Sequence, residues 1–208
     1  MISIGRLKHA LGYLKLYYYG YSNGKFEHYG KNTIIVKPFL CTNPSKVYIG
    51  NDVIINCGCI ILNQTARVIF KDHVIVSNNF LISTGNHVSK LGMWQNDTSM
   101  HIPQTDKDVI IENDVWIGAN VTLLTGVHIG RGCIIGAGAV CRSDIPPYSV
   151  VMGNPAKIIR FKFTPNEILE HEKILYSEEE RIPIELLNEN YNKYYLSRIT
   201  DIKKYKSI

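Results

Sequence analysis

The amino-acid sequence predicts an all-β solenoid, a parallel β-helix built from six-residue repeats, with a short N-terminal helix and a C-terminal helical tail. The main observation is a run of sixes between residues 109 and 140, where an aliphatic residue opens each repeat: Ile111, Ile117, Leu123, Ile129 and Ile135. A small or β-branched residue returns four places later, at Val115, Val121, Val127, Cys133 and Ala139. A short fixed period is typical of a parallel β-helix, because stacked turns bury the repeated aliphatic side chains in one column.

A second set of sixes begins at Ile49 and reads IGNDVI, INCGCI and ILNQTA. After two extra residues, Arg67 and Val68, we expect the register to resume as IFKDHV and IVSNNF. With three sixes in each turn of a triangular prism, this turn contributes the following inward residues: Ile69, Ile75 and Leu81. The same register places His73 and Asn79 at inward positions, where each buried polar group needs a hydrogen-bond partner.

Length and composition fit one domain with a terminal appendage. The chain has 208 residues, of which 45% are hydrophobic and 20% are charged, as in ordinary globular proteins. No apolar run approaches the roughly 20 residues that span a bilayer, and the first residues lack a signal-peptide pattern, so we expect a cytoplasmic protein. The formal charge of +5 suits phosphate-bearing ligands, whereas no motif or dense basic stripe indicates nucleic-acid binding.

Both ends of the chain show helical patterns. The segment from residue 5 to residue 21 spaces Leu7, Leu11 and Leu14 on one side of a helix. This helix either caps the open end of the solenoid or presents a basic, aromatic surface that makes a weak peripheral contact with a membrane. At the other end, Thr164 and Pro165 form a helix start. The charged tail that follows predicts one or two amphipathic helices that pack on the prism or on a neighbouring subunit.

The repeats divide the chain into three parts. We expect an N-terminal helical or irregular cap over residues 1–45, the β-helix domain over residues 46–160 and a C-terminal helical appendage over residues 161–208. The register disappears between His87 and Lys107, and a stretch this long without a pattern inside a repeat array is more often functional than idle. We expect residues 88–108 to form a loop that shapes the binding site.

Three segments resemble one known family: the sixes, the run IENDVWIGANV, and the segment GAGAVCRSDIPPYSVVMGNPAKIIR. Over residues 46–160 they are similar to the hexapeptide-repeat acetyltransferases, the branch that includes galactoside, maltose and xenobiotic acetyltransferases. The resemblance implies a left-handed winding of the β-helix, a homotrimer, and active sites that lie between subunits. It also implies that acetyl passes directly from acetyl-CoA to a hydroxyl or an amine.

His87 is the candidate catalytic base. Attack of a hydroxyl on a thioester needs a group that takes the hydroxyl proton, and histidine suits this role near neutral pH. The resemblance assigns the role to His87, which follows a Thr-Gly stretch as the catalytic histidine of the family does. Asn86 is an extra residue between Gly85 and His87 in this chain. The alternative is that His87 is an ordinary histidine on a surface loop.

For the acceptor, the resemblance points to Asn56 and Trp116. Asn56 matches an asparagine that contacts the ligand in the galactoside enzymes, and the alternative is a turn residue that tolerates a left-handed backbone. Trp116 precedes Ile-Gly as in the family, where the indole borders the ligand pocket. The alternative for Trp116 is packing at the surface.

The expected coenzyme A site combines small and basic residues. Two pairs of small residues lie one full turn apart on one face: Gly118, Ala119, Gly136 and Ala137. Small side chains let a pantetheine arm reach backbone N–H and C=O groups, although tight corners of the repeat would also explain them. The resemblance assigns contacts near the adenine and phosphates to Pro155, Lys157 and Arg160, with solvated surface charge as the alternative. The family's basic residue before Asp-Ile-Pro-Pro has moved by one place, so Arg142 or Ser143 is the further contact.

These observations predict an acetyl-CoA-dependent O-acetyltransferase that needs no metal and acetylates a sugar hydroxyl, such as one on a capsule or O-antigen precursor. Two enzyme alternatives change the acceptor to the amine of a nucleotide-linked amino sugar or to an antibiotic hydroxyl. A different class is a β-helix without catalysis that acts as a scaffold or holds a metal. Metal-binding β-helices need several histidines that converge on one ion across a subunit interface, and a single loop histidine argues against that reading.

The five cysteines show no zinc-site spacing, and we expect all of them to be reduced. Cys59 and Cys133 occupy inward repeat positions, where a thiol behaves as a small hydrophobic group. Cys141 lies near the cofactor segment and is the one alternative nucleophile, but no histidine adjoins it in the sequence to activate it. We therefore expect direct transfer without an acetyl-enzyme.

Overall fold

The computed structural model describes residues 3–19, 25–97 and 101–205, and within them three sheets form the faces of a solenoid. Sheet A contains β1 (His28–Tyr29), β4 (Val47–Ile49), β7 (Val68–Phe70), β10 (Val109–Ile111) and β13 (His128–Ile129). Sheet B contains β2 (Ile34–Ile35), β5 (Ile54–Ile55), β8 (Ile75–Val76), β11 (Trp116–Ile117), β14 (Ile134–Ile135), β16 (Ser149–Met152) and β17 (Lys157–Phe161). Sheet C contains β3 (Phe39–Cys41), β6 (Cys59–Leu62), β9 (Leu81–Ser83), β12 (Thr122–Leu123) and β15 (Val140–Cys141).

Helices flank the solenoid at both ends. They are α1 (Ile4–Tyr19), α2 (Pro165–Leu175), α3 (Ile184–Tyr194) and α4 (Ile199–Tyr205). Short 3-10 turns span Pro44–Lys46, Pro103–Thr105, Glu178–Glu180 and Leu196–Arg198. Each turn of the solenoid adds one strand to sheets A, B and C in that order, from β1–β3 to β13–β15, and the strands of successive turns pair in parallel. The predicted parallel β-helix with terminal helices is therefore confirmed.

The core is a column of aliphatic side chains that runs along the inside of the three sheets. In sheet A, Ile111 pairs with Phe70 of the preceding turn and with Ile129 of the following turn. Ile117 and Ile135 stack in the same way in sheet B, and these side chains are at most 1% exposed. Full burial of such a side chain stabilises the fold by about 1.5–3 kcal/mol, so each turn depends on the turns above and below it.

The register predicted for the third turn is wrong by one residue. Ile49 pairs with Phe70 rather than with Ile69, and Ile75 is 45% exposed. The inward residues of this turn are Phe70, Val76 and Ile82, in place of the predicted Ile69, Ile75 and Leu81. Because side chains alternate between the two faces of a strand, a slip of one residue moves every side chain to the opposite face.

The slip arises at the corner between β6 and β7, which contains one residue more than predicted. Asn63 is buried there, and it holds the preceding turn through hydrogen bonds to the backbone O and N–H of Asn43. The correction also moves His73 and Asn79, which are exposed and adopt positive φ angles of 59° and 58°. They are corner residues and need no buried partner. Left-handed conformations suit asparagine and histidine better than bulky or β-branched residues.

The first turn of the solenoid, β1 to β3, lies before residue 46, where we expected the domain to begin. Its strands continue the six-residue spacing through Tyr29, Ile35 and Cys41, which pair with the second turn. Since Ile35 is the only aliphatic residue of the three, the pattern was not visible in the sequence. The predicted helix α1 is present and approaches β3. Leu7, Leu11 and Leu14 of α1 are more than half exposed in the single chain.

The C-terminal tail packs on the last turns of the solenoid. The solenoid was one of the two expected partners of the tail, the other being a neighbouring subunit. The side chain of Thr164 caps α2 and forms a capping box with Glu167, and Pro165 occupies the first turn of the helix. Glu172 of α2 is fully buried and accepts hydrogen bonds from the Tyr148 hydroxyl at 3.0 Å and from Arg131 at 3.2 Å. A buried carboxylate is tolerated only with such partners, so this network fixes α2 against the solenoid.

Candidate active site

A cavity of about 580 Å³ opens at the corner where sheet C ends and sheet A begins. The ends of three successive sheet C strands contribute Thr42, Leu62 and Ser83 to its wall. The long loop after β9 supplies the opposite side, including His87 and His101. The lining contains several amide, carboxylate and imidazole groups, so the cavity can bind a ligand that carries hydroxyl groups.

His87 lies where the chain leaves β9 and enters the loop. Asn86, the extra residue of this segment, accepts a hydrogen bond from the backbone N–H of His87 through its side-chain Oδ1 at 2.9 Å. His87 is exposed in the single chain and forms an antiparallel bridge with His101. The centroids of the two imidazole rings are 5.8 Å apart. The ring of His87 is therefore accessible to a ligand in the cavity.

His101 and Asp106 are site residues that sequence reasoning missed. The Nε2 atom of His101 lies 3.2 Å from Oδ1 of Asp106, whose side chain is only 2% exposed. Thr65 donates its hydroxyl proton to the other carboxylate oxygen of Asp106. The available signal was a second histidine and an acidic residue inside the stretch without a register, but their contact depends on the path of the loop.

The two Gly-Ala pairs lie at a second corner, between sheets B and C. The backbone N–H of Gly118 donates to the carbonyl of Ile135 in the next turn at 2.8 Å. A Cβ atom added at Gly118 would lie 2.7 Å from the backbone N of Ala137. Gly136 occupies the equivalent position one turn on. The pairs share one edge as predicted, and the close contact between turns already requires glycine at Gly118.

Asn56 lies on this second corner, two turns before Gly118. Its Nδ2 group donates to the backbone carbonyl of Val76 at 3.0 Å, so the amide spans two turns of the solenoid. On this corner the residue with a positive φ is Gly58 and not Asn56, so the left-handed alternative for Asn56 does not apply. Asn56 is outside the set of residues that line the cavity around His87.

Trp116 lies on the outer face of sheet B and is 52% exposed. It pairs with Ile75 on one side and with Ile134 on the other. Ile34 and Ile54 continue this row of outward apolar residues towards the first turn, and both are exposed. The indole therefore belongs to an exposed apolar stripe, which we call the sheet B stripe, and not to the cavity around His87.

The predicted basic residues lie at the far end of sheet B. The antiparallel hairpin of β16 and β17 extends this sheet beyond β14. Lys157 and Arg160 are exposed residues of β17, and Pro155 is exposed in the hairpin turn. Arg142 and Ser143 follow β15 and are also exposed. The structure therefore brings these residues to the end of the solenoid near the last turn. Arg142 and Ser143 lie on the same corner as His87, two turns further along the solenoid.

All five cysteines are free, as expected, and four of them are buried. Cys59, Cys133 and Cys141 are 0% exposed. Burial raises the pKa of Cys133 to about 12, although hydrogen bonds from the backbone of Ser149 and Tyr148 oppose the shift. Burial also raises the pKa of Cys141 to about 12. A buried thiol with a raised pKa is a poor nucleophile, which removes Cys141 as the alternative to direct transfer.

A separate cluster of charges lies on the outer face of sheet A. Glu112 accepts a hydrogen bond from His128 at 2.9 Å and pairs with Lys71 at 2.8 Å. Burial opposes ionisation of Glu112, but these two partners outweigh it and lower its pKa to about 2. The hydrogen bond to Glu112 raises the pKa of His128. The cluster borders a second cavity of about 420 Å³ between sheet A and the tail.

No group of three or more His, Cys, Asp or Glu side chains in residues 3–19, 25–97 and 101–205 converges in a way that could hold a metal ion. None of the helices in the same part of the chain has the length and apolar character that crossing a membrane requires.

Comparison with known proteins identifies the repeat. Residues 108–143 match the family described as bacterial transferase hexapeptide (six repeats). The galactoside O-acetyltransferase of Lactococcus lactis is 34% identical over 137 residues, which cover 65% of this chain and 63% of that protein. A chloramphenicol acetyltransferase of Escherichia coli is 46% identical over 61 residues, which cover 29% of each protein. The chain thus spans less than two thirds of the length of these curated relatives.

A solved structure covers more of the chain. The hexapeptide-repeat acetyltransferase VCA0836 of Vibrio cholerae, determined in complex with acetyl coenzyme A, is 30% identical to this chain. Its fold matches with a TM-score of 0.61 over 76% of this chain and 88% of the Vibrio chain. The repeat, the three-sheet solenoid and this relative together show that the chain belongs to the hexapeptide-repeat acetyltransferase family.

Proposed function

We propose that the protein is an acetyl-CoA-dependent O-acetyltransferase that acetylates a hydroxyl of a sugar, on a precursor of a surface polysaccharide such as a capsule or O-antigen. The observation that carries the proposal is the polar cavity that exposes His87 at the corner between sheets C and A. The Vibrio relative bound to acetyl coenzyme A and the galactoside O-acetyltransferase support the donor and the acceptor class. The five free cysteines support a reducing compartment, and we propose the cytoplasm.

His87 acts as the general base of the reaction. Its imidazole takes the proton from the acceptor hydroxyl while the hydroxyl oxygen attacks the thioester carbonyl carbon. The carbon–sulfur bond then breaks, and the imidazolium returns the proton to the departing thiolate. The products are the acetyl ester and free coenzyme A, and no acetyl-enzyme forms because the buried Cys141 cannot reach the thioester.

The edge between sheets B and C is the proposed site for coenzyme A. Ala119 is half-buried and Ala137 is exposed on this edge, and both side chains are only methyl groups. Gly118 is buried against the next turn, and the side chain of Met152 lies beside Gly136. A pantetheine arm is an extended amide chain, so it suits an edge where no large side chain intervenes. The proposed contacts of the adenine and phosphates are Pro155, Lys157, Arg160 and one of Arg142 or Ser143. Their exposed positions at the far end of sheet B support this assignment.

The proposed active site needs more than one copy of the chain. His87 and the Gly-Ala edge lie at two different corners of one solenoid, so a single chain does not unite them. The sheet B stripe leaves Ile34, Ile75 and Trp116 exposed in a single chain, which is typical of a surface that a second subunit covers. We therefore propose a homotrimer, in which Trp116 and Asn56 of one copy approach the cavity around His87 of the next.

One assay tests the proposed function. The purified protein is incubated with acetyl-CoA and a panel of sugars, including galactosides, and the released thiol is followed in the wild type and in His87→Ala. We expect thiol release that depends on a sugar and on His87, with one acetyl ester formed for each thiol. Thiol release that no sugar stimulates would contradict the proposal.

Antibiotics are the second candidate acceptors. The similarity to chloramphenicol acetyltransferase, although limited to 61 residues, favours an antibiotic hydroxyl as the alternative. Chloramphenicol and an amino sugar nucleotide therefore belong in the same panel. A higher kcat/KM for either compound than for every sugar would move the function to antibiotic modification or to N-acetylation.

A further inference from the structure

The cavity around His87 contains two imidazoles, and only one of them has a role in the proposed reaction. His87 and His101 come from opposite ends of the long loop and meet through an antiparallel bridge. Their ring centroids are 5.8 Å apart and their planes are inclined by 38°. Two groups at this spacing can contact two different hydroxyls of one ligand.

The ring of His101 is held by a buried carboxylate. Asp106 accepts from Nε2 of His101 at 3.2 Å, and the Thr65 hydroxyl donates to its second oxygen. The two residues meet because the 3-10 turn Pro103–Thr105 lies between them, with the Asp106 N–H bonded to the Pro103 carbonyl at 3.2 Å. A carboxylate behind an imidazole fixes the ring orientation and the tautomer.

The fixed tautomer leaves His101 with one hydrogen-bond acceptor. In the neutral imidazole, Nε2 carries the proton that it donates to Asp106, so the remaining ring nitrogen, Nδ1, has a lone pair. The side chain of His101 is 23% exposed and belongs to the lining of the cavity. A neutral imidazole in this state accepts a hydrogen bond from a hydroxyl of a ligand in the cavity.

We propose that His101, oriented by Asp106, is a specificity-determining residue that binds a second hydroxyl of the acceptor, next to the hydroxyl that His87 deprotonates. This inference rests on the proposed function and narrows its acceptor to a compound with at least two neighbouring hydroxyls. His101 takes part in no bond making or breaking, because the proton of the attacked hydroxyl goes to His87. An acceptor that lacks the second hydroxyl leaves the His101 lone pair unpaired and loses affinity.

The test compares an acceptor with its analogues in which one hydroxyl at a time is replaced by hydrogen. The probe is methyl β-galactoside, or the panel sugar with the highest kcat/KM, together with its monodeoxy analogues. In the wild type, loss of the hydroxyl that His101 binds should lower kcat/KM by about 10- to 100-fold. In His101→Ala, kcat/KM for the intact sugar should fall by a similar factor, and kcat/KM for the corresponding deoxy analogue should be little lower than for the intact sugar.

Two further variants show whether the effect of His101→Ala comes from a lost contact with the sugar or from a disturbed fold. Asp106→Asn leaves both imidazoles in place but frees the tautomer of His101, so it should weaken the same discrimination while the KM for acetyl-CoA stays unchanged. His73→Ala is the matched control, since His73 is an exposed residue at a different corner, between β7 and β8, and outside the cavity lining, and it should behave as the wild type. If His101→Ala does not fold, Asp106→Asn alone decides the outcome.

The outcomes separate this inference from the proposed function. Sugar-dependent transfer in which His101→Ala and Asp106→Asn lower kcat/KM equally for the intact sugar and for every deoxy analogue would overturn the inference alone. Absence of transfer to any sugar by the wild type would overturn the proposed function and this inference with it. Loss of discrimination at one hydroxyl only, in both variants, is the result that the structure predicts.

Discussion

His87 performs the chemical step of the proposed reaction, so the first prediction concerns this residue. His87→Ala removes the group that takes the acceptor proton and should lower kcat by roughly 10²–10⁴-fold. Binding of coenzyme A should remain almost intact, because the Gly-Ala edge lies at a different corner of the solenoid. Thiol release and calorimetric titration with coenzyme A measure the two effects. A normal kcat in a folded His87→Ala variant would exclude His87 as the base.

Arg160 gives a second prediction at the same scale. Its exposed guanidinium on β17 is a proposed phosphate contact of coenzyme A. Arg160→Ala should raise the KM for acetyl-CoA by about tenfold, as expected for the loss of one charge-assisted hydrogen bond, and leave the KM for the sugar almost unchanged. Initial rates at varied concentrations of each substrate measure both constants. If neither Arg160→Ala nor Lys157→Ala changes the KM for acetyl-CoA, the coenzyme A site lies elsewhere.

At the scale of single residues, the sequence identified a candidate site residue when a recognisable motif adjoined it. His87 was found because it adjoins a Thr-Gly stretch at the point where the register ends, and the structure gives it an accessible position in a cavity. His101 and Asp106 lacked such a signal, because their contact is made by a 3-10 turn in a loop without a repeat. Trp116 was assigned to the acceptor through the resemblance, but in the single chain it lies on the sheet B stripe, outside the cavity around His87.

At the scale of the strand, Phe70 and Ile69 are adjacent residues of β7 with opposite environments. Phe70 is fully buried, whereas Ile69 points outward and is partly exposed. Phe70→Ala should destabilise the protein by about 3–5 kcal/mol, because it leaves a cavity in the column, and the matched variant Ile69→Ala should cost far less. The denaturation midpoints in urea compare the two. A larger loss for Ile69→Ala than for Phe70→Ala would support the register predicted from the sequence.

The register of this turn could not be read from the sequence for a physical reason. Both Ile69-Phe70 and Ile75-Val76 are apolar pairs, so each strand offers an inward residue in either register. The choice is made by the corner that contains the buried Asn63, whose length follows from its hydrogen bonds to Asn43. The sixes between residues 109 and 140 lack such an insertion, and there the predicted inward residues are all buried.

The cluster of Glu112, His128 and Lys71 on sheet A gives a prediction of pH dependence. Because its pKa is lowered, Glu112 stabilises the fold at pH values above 4.5, the ordinary pKa of the carboxyl group. This contribution is lost as the pH falls towards about 2. Because its pKa is raised, His128 stabilises the fold at pH values below 6.5, the ordinary pKa of the imidazole. This contribution is lost as the pH rises through the raised pKa of His128. The pair therefore contributes most between these two ordinary values.

The variant His128→Gln tests this window. Because the His128 side chain is 46% exposed and solvent screens the pair, the variant should lose less than about 1 kcal/mol. The loss should be larger at about pH 5.5 than at about pH 9, because His128 loses its charge as the pH rises through its raised pKa. Urea denaturation of the wild type and of His128→Gln at both pH values measures this loss of stability, and both proteins keep the neighbouring charges of Asp144 and Lys71. A loss of the same size at both pH values would show that the effect comes from packing.

At the scale of the whole molecule, the solenoid was predictable from the sequence, whereas the relative placement of the residues on its corners was not. The period of six determines the fold because every turn must bury its aliphatic residues against the next turn. The sequence pattern did not predict the first turn, because Tyr29 and Cys41 replace aliphatic residues at its repeat positions. The relative placement of His87 and the Gly-Ala edge follows from the path of the chain around three sheets, and a linear sequence does not display it.

The central claim is that one active site combines the His87 corner of one copy with the coenzyme A edge of another. Mixing His87→Ala with Arg160→Ala, by unfolding and refolding the two variants together at an acetyl-CoA concentration well below the raised KM, tests this claim directly. Mixed assemblies contain sites in which both residues are intact, so thiol release should exceed the sum of the two variants refolded separately. Activity equal to that sum, in assemblies shown to contain both variants, would contradict a shared site.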